Sequence, residues 1–166
     1  RREGPSHISG MPVFVDGRIY VTVGGDIWHG KREAWLKCID ATRSGDVTAD
    51  GEFWSYRLER HAVSTPAVHD GLVYVTDCGR NVHCVDAATG QPRWRHRTGG
   101  EIWSSPLAAD GKVYVGTRRG GFCVFAAGGE KKLLHKIRFD DPINATPVAA
   151  NGVLYVTTMT RLYAFQ

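Results

Sequence analysis

Thr65-Pro66-Ala67-Val68-His69-Asp70-Gly71-Leu72-Val73-Tyr74-Val75 is the stretch that decides the fold. Proline withdraws a donor from the strand ladder and is confined to a sheet edge, so residues 64–69 read as an edge strand. Asp-Gly is the strongest short hairpin signal, because a type I′ turn needs positive φ at both central residues. Leu72 to Thr76 then reads as the second strand, with Val on one face and Tyr on the other. The phrase returns as Met11-Pro12-Val13-Phe14-Val15-Asp16-Gly17-Arg18-Ile19-Tyr20-Val21, as Ser105-Pro106-Leu107-Ala108-Ala109-Asp110-Gly111-Lys112-Val113-Tyr114-Val115 and as Thr146-Pro147-Val148-Ala149-Ala150-Asn151-Gly152-Val153-Leu154-Tyr155-Val156. The four prolines stand 54, 40 and 41 residues apart. A period near 40 built from strand signals marks an array of propeller blades.

Each copy completes itself in the same way. A third strand, Asn81 to Asp86 in the second copy, ends in a polar turn. A fourth carries tryptophan, as in Arg93-Trp94-Arg95-His96 and Phe53-Trp54-Ser55-Tyr56. The expected fold is therefore an all-β propeller segment of four blade repeats, each of four antiparallel strands. Blade 1 spans about 8–58, blade 2 about 62–97, blade 3 about 102–138 and a partial blade 4 about 143–166. The last copy reaches Gln166 after its third strand, Leu162 to Phe165, without an outer strand. The expectation is that Gln166 lies near a natural C-terminus, that further blades belong upstream, and that the chain is half of an eight-bladed ring. Two copies about a two-fold axis, a homodimer of half-propellers, would close such a ring.

The bulk numbers agree with a folded, water-soluble domain. Apolar residues make up 42% and charged residues 23% of the chain, which excludes the disordered class. No apolar run approaches the ~20 residues of a membrane helix. A net charge of +4 permits an acidic partner without requiring one. No recognised nucleic-acid motif accompanies it, which argues against nucleic acid as partner.

Asp86-Ala87-Ala88-Thr89-Gly90-Gln91-Pro92-Arg93-Trp94 makes the repeat specific. An Asp-Ala-x-Thr-Gly turn followed four residues later by Trp resembles the tryptophan-docking motif of the pyrroloquinoline-quinone-type, or quinoprotein-like, propellers. In that family the Trp packs against a neighbouring blade, which makes Asp86, Thr89, Gly90 and Trp94 the structural motif. The resemblance covers residues 8–166. The first copy, Asp40-Ala41-Thr42-Arg43-Ser44-Gly45 to Trp54, is stretched. The third, Phe125-Ala126-Ala127-Gly128-Gly129, lacks both Asp and Trp. The family includes quinoprotein alcohol dehydrogenases and the propeller lipoprotein of outer-membrane barrel assembly. The resemblance thus implies an exported protein, periplasmic or at the cell surface.

The cysteines read as structural. Aligning the copies by their Cys-x-x-Ala pattern sets Cys38, Cys84 and Cys123 at one position, which Ala164 holds in the fourth copy. A place that accepts Cys or Ala calls for a small buried side chain. Cys78 stands apart in a loop, and no Cys-x-x-Cys spacing supports zinc. In the same alignment His83 matches Lys37, Phe122 and Tyr163 and reads as a strand residue. His7, His29 and His61 have no metal-ligand spacing. Ser64, Ser104 and Ser105 recur before proline without His–Asp logic around them. No catalytic, cofactor-binding or metal-binding residue is expected.

The strand order divides the loops between two rims. One carries the Asp-Gly and Asp-Ala-Thr-Gly turns (the turn rim). The other carries the second-to-third-strand loops and the connections between blades (the connection rim), and it is the more cationic: Lys31, Arg32, Arg80, Arg118, Arg119 and Arg161, with Arg60, His61 and Arg138. Copy one also gains about eight residues here, around Gly25 to Trp35. The candidate partner-binding surface is therefore Trp28, His29, Lys31, Arg32, Trp35, Arg80, Arg118 and Arg119. The expected function is a non-catalytic scaffold or protein-binding module, partnered by another protein or by itself, with no cofactor. The alternative is a fragment of a quinone-dependent dehydrogenase whose cofactor-binding residues lie outside this chain. The family's quinone stacks on a vicinal disulfide and its calcium is held by carboxylates and amides. This sequence has no adjacent cysteine pair.

Overall fold

The computed structural model describes residues 8–25, 30 and 33–166. Trp28, His29, Lys31 and Arg32 of the expected contact surface lie outside the described residues. The rest forms strands β1 (Val13–Val15), β2 (Arg18–Val23), β3 (Ala34–Asp40), β4 (Glu52–Leu58), β5 (Ala67–His69), β6 (Leu72–Asp77), β7 (Asn81–Asp86), β8 (Pro92–Arg97), β9 (Leu107–Ala109), β10 (Lys112–Gly116), β11 (Gly121–Ala126), β12 (Leu133–Arg138), β13 (Val148–Ala150), β14 (Val153–Thr157) and β15 (Leu162–Phe165). They pair in sequence order into three four-stranded sheets and one three-stranded sheet, β13-β14-β15. These are the four blades, all antiparallel.

The turn chemistry is as the sequence requires. Asp16, Asp70, Asp110 and Asn151 have φ of 48°, 47°, 49° and 52°, and the glycine after each is also positive. Short polar side chains tolerate that region, and glycine enters it without a steric penalty. The proline-led strands β1, β5, β9 and β13 are all sheet edges.

Apolar faces of successive blades close three cores. Leu36 and Cys38 of blade 1 meet Val73, Val75 and Val85 of blade 2. Tyr74, Val82 and Cys84 on the opposite face of blade 2 meet Val113, Val115, Cys123 and Phe125. Tyr114, Phe122 and Val124 meet Val156, with Leu154 and Tyr163 beside it. Two-residue periodicity in β6, β7, β10 and β11 thus feeds two interfaces at once, so both faces of these strands are apolar.

The register corrects the cysteine alignment. Cys38 lies opposite Tyr20, Cys84 opposite Tyr74 and Ala164 opposite Tyr155, but Tyr114 faces Val124. Cys123 faces Val115, the place that His83 takes opposite Val75. Cys123 therefore takes the face of its own blade opposite to the one Cys84 takes in blade 2, because a one-residue slip exchanges sheet faces, and the two cysteines enter the same blade 2–blade 3 core from its two sides. Phe122 is likewise not the counterpart of His83. All four cysteines are buried and free.

Hydroxyls before the prolines link the blades. Met11 N donates to Thr65 Oγ1 (3.0 Å), Thr65 N to Ser105 Oγ (2.9 Å) and Ser105 N to Thr146 Oγ1 (3.1 Å). Ser64 Oγ donates to Thr76 O and Ser104 Oγ to Gly116 O. These serines serve the repeat, and each hydroxyl satisfies backbone that a short edge strand leaves unpaired.

Every complete blade also carries a β-bulge in its outer strand, one residue before the position of Trp54, Trp94 and His135. Trp54 Nε1 donates to Ala87 O (3.1 Å) and Trp94 Nε1 to Gly128 O (2.9 Å), each on the turn of the next blade. Gly90 is needed under Trp54: at φ 74° a Cβ there would come within 2.6 Å of the indole. Asp86 organises that turn, accepting from Thr89 N and Oγ1 (2.9 Å each) and from Arg93 Nη2 (2.6 Å).

The Arg93 and Thr89 bonds hold the Asp86 carboxyl down at about 2, from an ordinary 3.8. A depressed carboxylate contributes stability above its unfolded value and loses it as pH falls through the folded one. The stability difference between the parent and Asp86→Asn is therefore expected to shrink between pH 4 and pH 2, and thermal melts across that window check it.

Candidate functional site

The connection rim holds the strongest departure from the repeat. Strand β6 ends at Asp77, where blades 3 and 4 have Thr117 and Thr158. Those threonine hydroxyls accept one backbone N–H of the following turn, from Gly121 (3.0 Å) and Arg161 (3.1 Å). Asp77 does the same for Asn81 N (3.1 Å) and then goes further. Its carboxylate also takes Asn81 Nδ2 (3.1 and 3.2 Å), Glu59 N (3.3 Å) and His83 Nε2 (3.0 Å). Asp77 is 0% exposed and His83 1%.

His83 Nδ1 lies 3.0 Å from Tyr56 Oη of blade 1. With Nε2–H donating to the carboxylate, Nδ1 accepts from the phenol, which fixes the tautomer by the network. Burial raises the Tyr56 phenol above its ordinary value, so it stays a donor. Tyr56–His83–Asp77 is thus a closed polar relay joining blades 1 and 2. Buried polar groups of this kind are tolerated only when fully satisfied.

Outside this relay lies a cleft of 460 Å³ lined by Glu59, Arg60, His61, Cys78, Gly79, Arg80, Arg97 and Glu101. Glu59 pairs with Arg95, and its second oxygen accepts from Asn81 Nδ2 (3.0 Å). Glu101 pairs with Arg118 (3.1 Å), whose guanidinium lies 3.9 Å above the Trp103 ring. Arg60, Arg80 and Arg97 have no carboxylate partner among the described residues. Burial pushes the Cys78 thiol up to about 12, so it is a protonated wall residue rather than a nucleophile.

Arg80 has φ 76°, where blade 3 has Gly120 at 74°. Such a conformation costs a non-glycine residue roughly 1–3 kcal/mol. It is enforced by Arg80 N donating to Asp77 O (3.2 Å) and by Thr98 N (2.7 Å) and Oγ1 (3.0 Å) donating to Arg80 O.

Of the residues expected on the contact surface, Arg80 lines the cleft with Glu101, Arg118 is paired to Glu101, and Arg119 is exposed on the same turn as Arg118. Trp35 is a correction. It is not in the loop but in β3, opposite Val23 and Arg57, on the face turned away from blade 2. The alternation Ala34-Trp35-Leu36-Lys37-Cys38 carries that pattern, with Ala34, Leu36 and Cys38 wholly buried. Asp77, Tyr56 and Arg97 escaped the sequence reading, and Arg60 stood in it only as one of the rim's cations. The one available signal was an acid at a strand end where the third and fourth copies have Thr and the first has Val.

The calcium that the resemblance implies does not fit the described residues. The nearest carboxylate–amide cluster is Glu59, Asp77 and Asn81. Its Asp77 oxygens are already taken by five donor contacts from four groups, whereas calcium needs oxygen lone pairs turned toward a common point.

A family model described as outer membrane protein assembly factor BamB matches residues 32–132. The chain is 36% identical over 101 residues to outer membrane protein assembly factor BamB of Burkholderia pseudomallei (strain K96243), covering 60% of this chain and 26% of that protein. It is 31% identical over 115 residues to the quinohemoprotein alcohol dehydrogenase of Comamonas testosteroni, covering 61% and 16%. The match thus spans about a quarter or less of those relatives. Among solved structures, BamB from Moraxella catarrhalis is similar with a TM-score of 0.74 at 20% identity, covering 95% of this chain and 46% of that one. The computationally designed Ika4 protein is similar with a TM-score of 0.73 at 12% identity, covering 99% and 93%. These two likenesses concern the fold.

Proposed function

The chain belongs to the propeller-repeat family described as outer membrane protein assembly factor BamB, and from that membership we propose that it is a non-catalytic module that binds a protein partner on its connection rim. The observation that carries this reading is the contrast between interior and rim. Inside, polar side chains such as Asp77, His83, Ser64 and Ser104 are spent on joining strands and blades. On the rim, Arg80 is held in a strained backbone beside two further arginines without ion-pair partners among the described residues. Strain and unmatched charge on a rigid scaffold are what a binding surface uses. The tryptophan contacts from blade to blade are read, within the same proposal, as the family's docking motif. An exported location, periplasmic or at the cell surface, belongs to the proposal as well.

The test is a titration with pyrroloquinoline quinone and calcium, followed by tryptophan fluorescence and by dye-linked oxidation of alcohols. The expected result is no saturable quenching and no dye reduction. Saturable quenching would return the chain to the dehydrogenase reading, which the 31% identity to the quinohemoprotein enzyme keeps in view.

Self-assembly into paired half-propellers is the second element of the proposal. It is supported by Ika4, whose chain is matched along nearly all of its length by this one. Light scattering is expected to give the mass of two chains, independent of quinone. A monomer at micromolar concentration overturns it.

A further inference from the structure

The geometry points to the Arg60–Arg80–Arg97 cleft as the binding site for an acidic, extended segment of a partner protein. This rests on the protein-binding reading above and specifies its chemistry. Three guanidiniums line one concavity without ion-pair partners among the described residues, while its two carboxylates, Glu59 and Glu101, are matched to Arg95 and Arg118. The uncompensated charge of the cleft is therefore positive. A guanidinium presents paired N–H donors that match a carboxylate, with strong geometric selectivity.

Arg80 carries the inference furthest. The equivalent turn of blade 3 places glycine at the same φ, so the fold itself asks for glycine there. Having Arg instead, with its carbonyl clamped by Thr98, aims one guanidinium at the price of local strain. Gly79 beside it keeps the cleft open. A Cβ at that position would come within 2.7 Å of Arg60 Cγ and 2.9 Å of Asp77 Oδ1.

The volume of the cleft, 460 Å³, exceeds what a single carboxylate fills. Side chains two residues apart on an extended segment point the same way, so such a segment can bring several carboxylates to these arginines. Nucleic acid is disfavoured, because the Trp103 ring, on which a base would stack, is already covered by Arg118.

The experiment is fluorescence anisotropy of a fluorescein-labelled Glu-Ser repeat peptide at low salt, with a Lys-Ser repeat as control. Saturable binding of the acidic peptide alone is expected. Arg80→Gly should weaken it about tenfold, the order of one charge-assisted bond, while melting at or above the parent temperature, because glycine suits that φ. Arg60→Gln and Arg97→Gln should weaken it similarly, and Lys112→Gln, beside the Asp110-Gly111 turn on the other rim, should leave it unchanged. Equal binding by Arg80→Gly, or by the Lys-Ser peptide, overturns the proposal. Displacement by inorganic phosphate at matched carboxylate concentration also overturns it, in favour of a free-oxyanion site. A negative peptide result with no quinone binding removes the acidic segment but spares the scaffold reading. Saturable quinone binding removes the scaffold reading whatever the peptide does.

Discussion

Asp77→Ala is expected to cost several kcal/mol of folding stability, because each buried donor left unsatisfied costs about 1–3 kcal/mol. The carboxylate is 0% exposed and collects donors from Glu59 N, Asn81 N, Asn81 Nδ2 and His83 Nε2. Alanine strands all of them where water does not reach, and an unsatisfied buried donor costs more than a made bond contributes. It also releases His83, and with it the Tyr56 link from blade 1. Asp77→Asn should cost less, since it keeps the shape and one acceptor oxygen. Adding His83→Leu to Asp77→Ala should recover part of the loss, because both partners are then apolar. Urea denaturation of the three variants decides the matter, and a loss below about 1 kcal/mol for Asp77→Ala would show that the relay is not the joint between these blades.

Trp94→Ala is the second large effect, about 3–5 kcal/mol by the range for deleting a buried aromatic side chain. The indole is 8% exposed, with ring centroids 6.0 Å from Tyr74 and 5.3 Å from Phe125. It joins blade 2 to blade 3 by apolar area and by the Nε1–H bond to Gly128 O. Trp94→Phe keeps much of the area and loses the bond, and should cost about 1 kcal/mol. Equal losses in the two variants, read from thermal melts, would assign the joint to the hydrogen bond instead of the packing.

The blades were legible in the sequence because their determinants are local. Pro66 at an edge, Asp70-Gly71 at positive φ and the alternation around Tyr74 each act within a few residues. Positions that depend on neighbours across strands were less so. Cys123 was placed by its Cys-Val-x-Ala neighbourhood, and only the pairing of Val115 with it shows a slip of one residue. Trp35 looked like a loop residue because the added length of copy one hid where β3 begins.

The site was barely legible. Arg80 stood out only as one cation among many, since nothing in a linear sequence shows that its φ is the one glycine would take. Arg60 and Arg97 are 37 residues apart in the chain and share a cleft only after β6 and β7 have folded between them. The relay depends on Tyr56 and His83 meeting across two blades, a contact no single copy of the repeat contains.

The bulge before each outer-strand tryptophan position has a bearing on solubility as well as on the contacts between blades. An outermost strand offers a row of free amides and carbonyls, the template on which foreign strands add and aggregates grow. An extra residue at 53, 93 and 134 breaks the straight run of that template and twists it. The same irregularity that precedes the indoles thus denies an intruding strand a continuous ladder along the periphery of every complete blade.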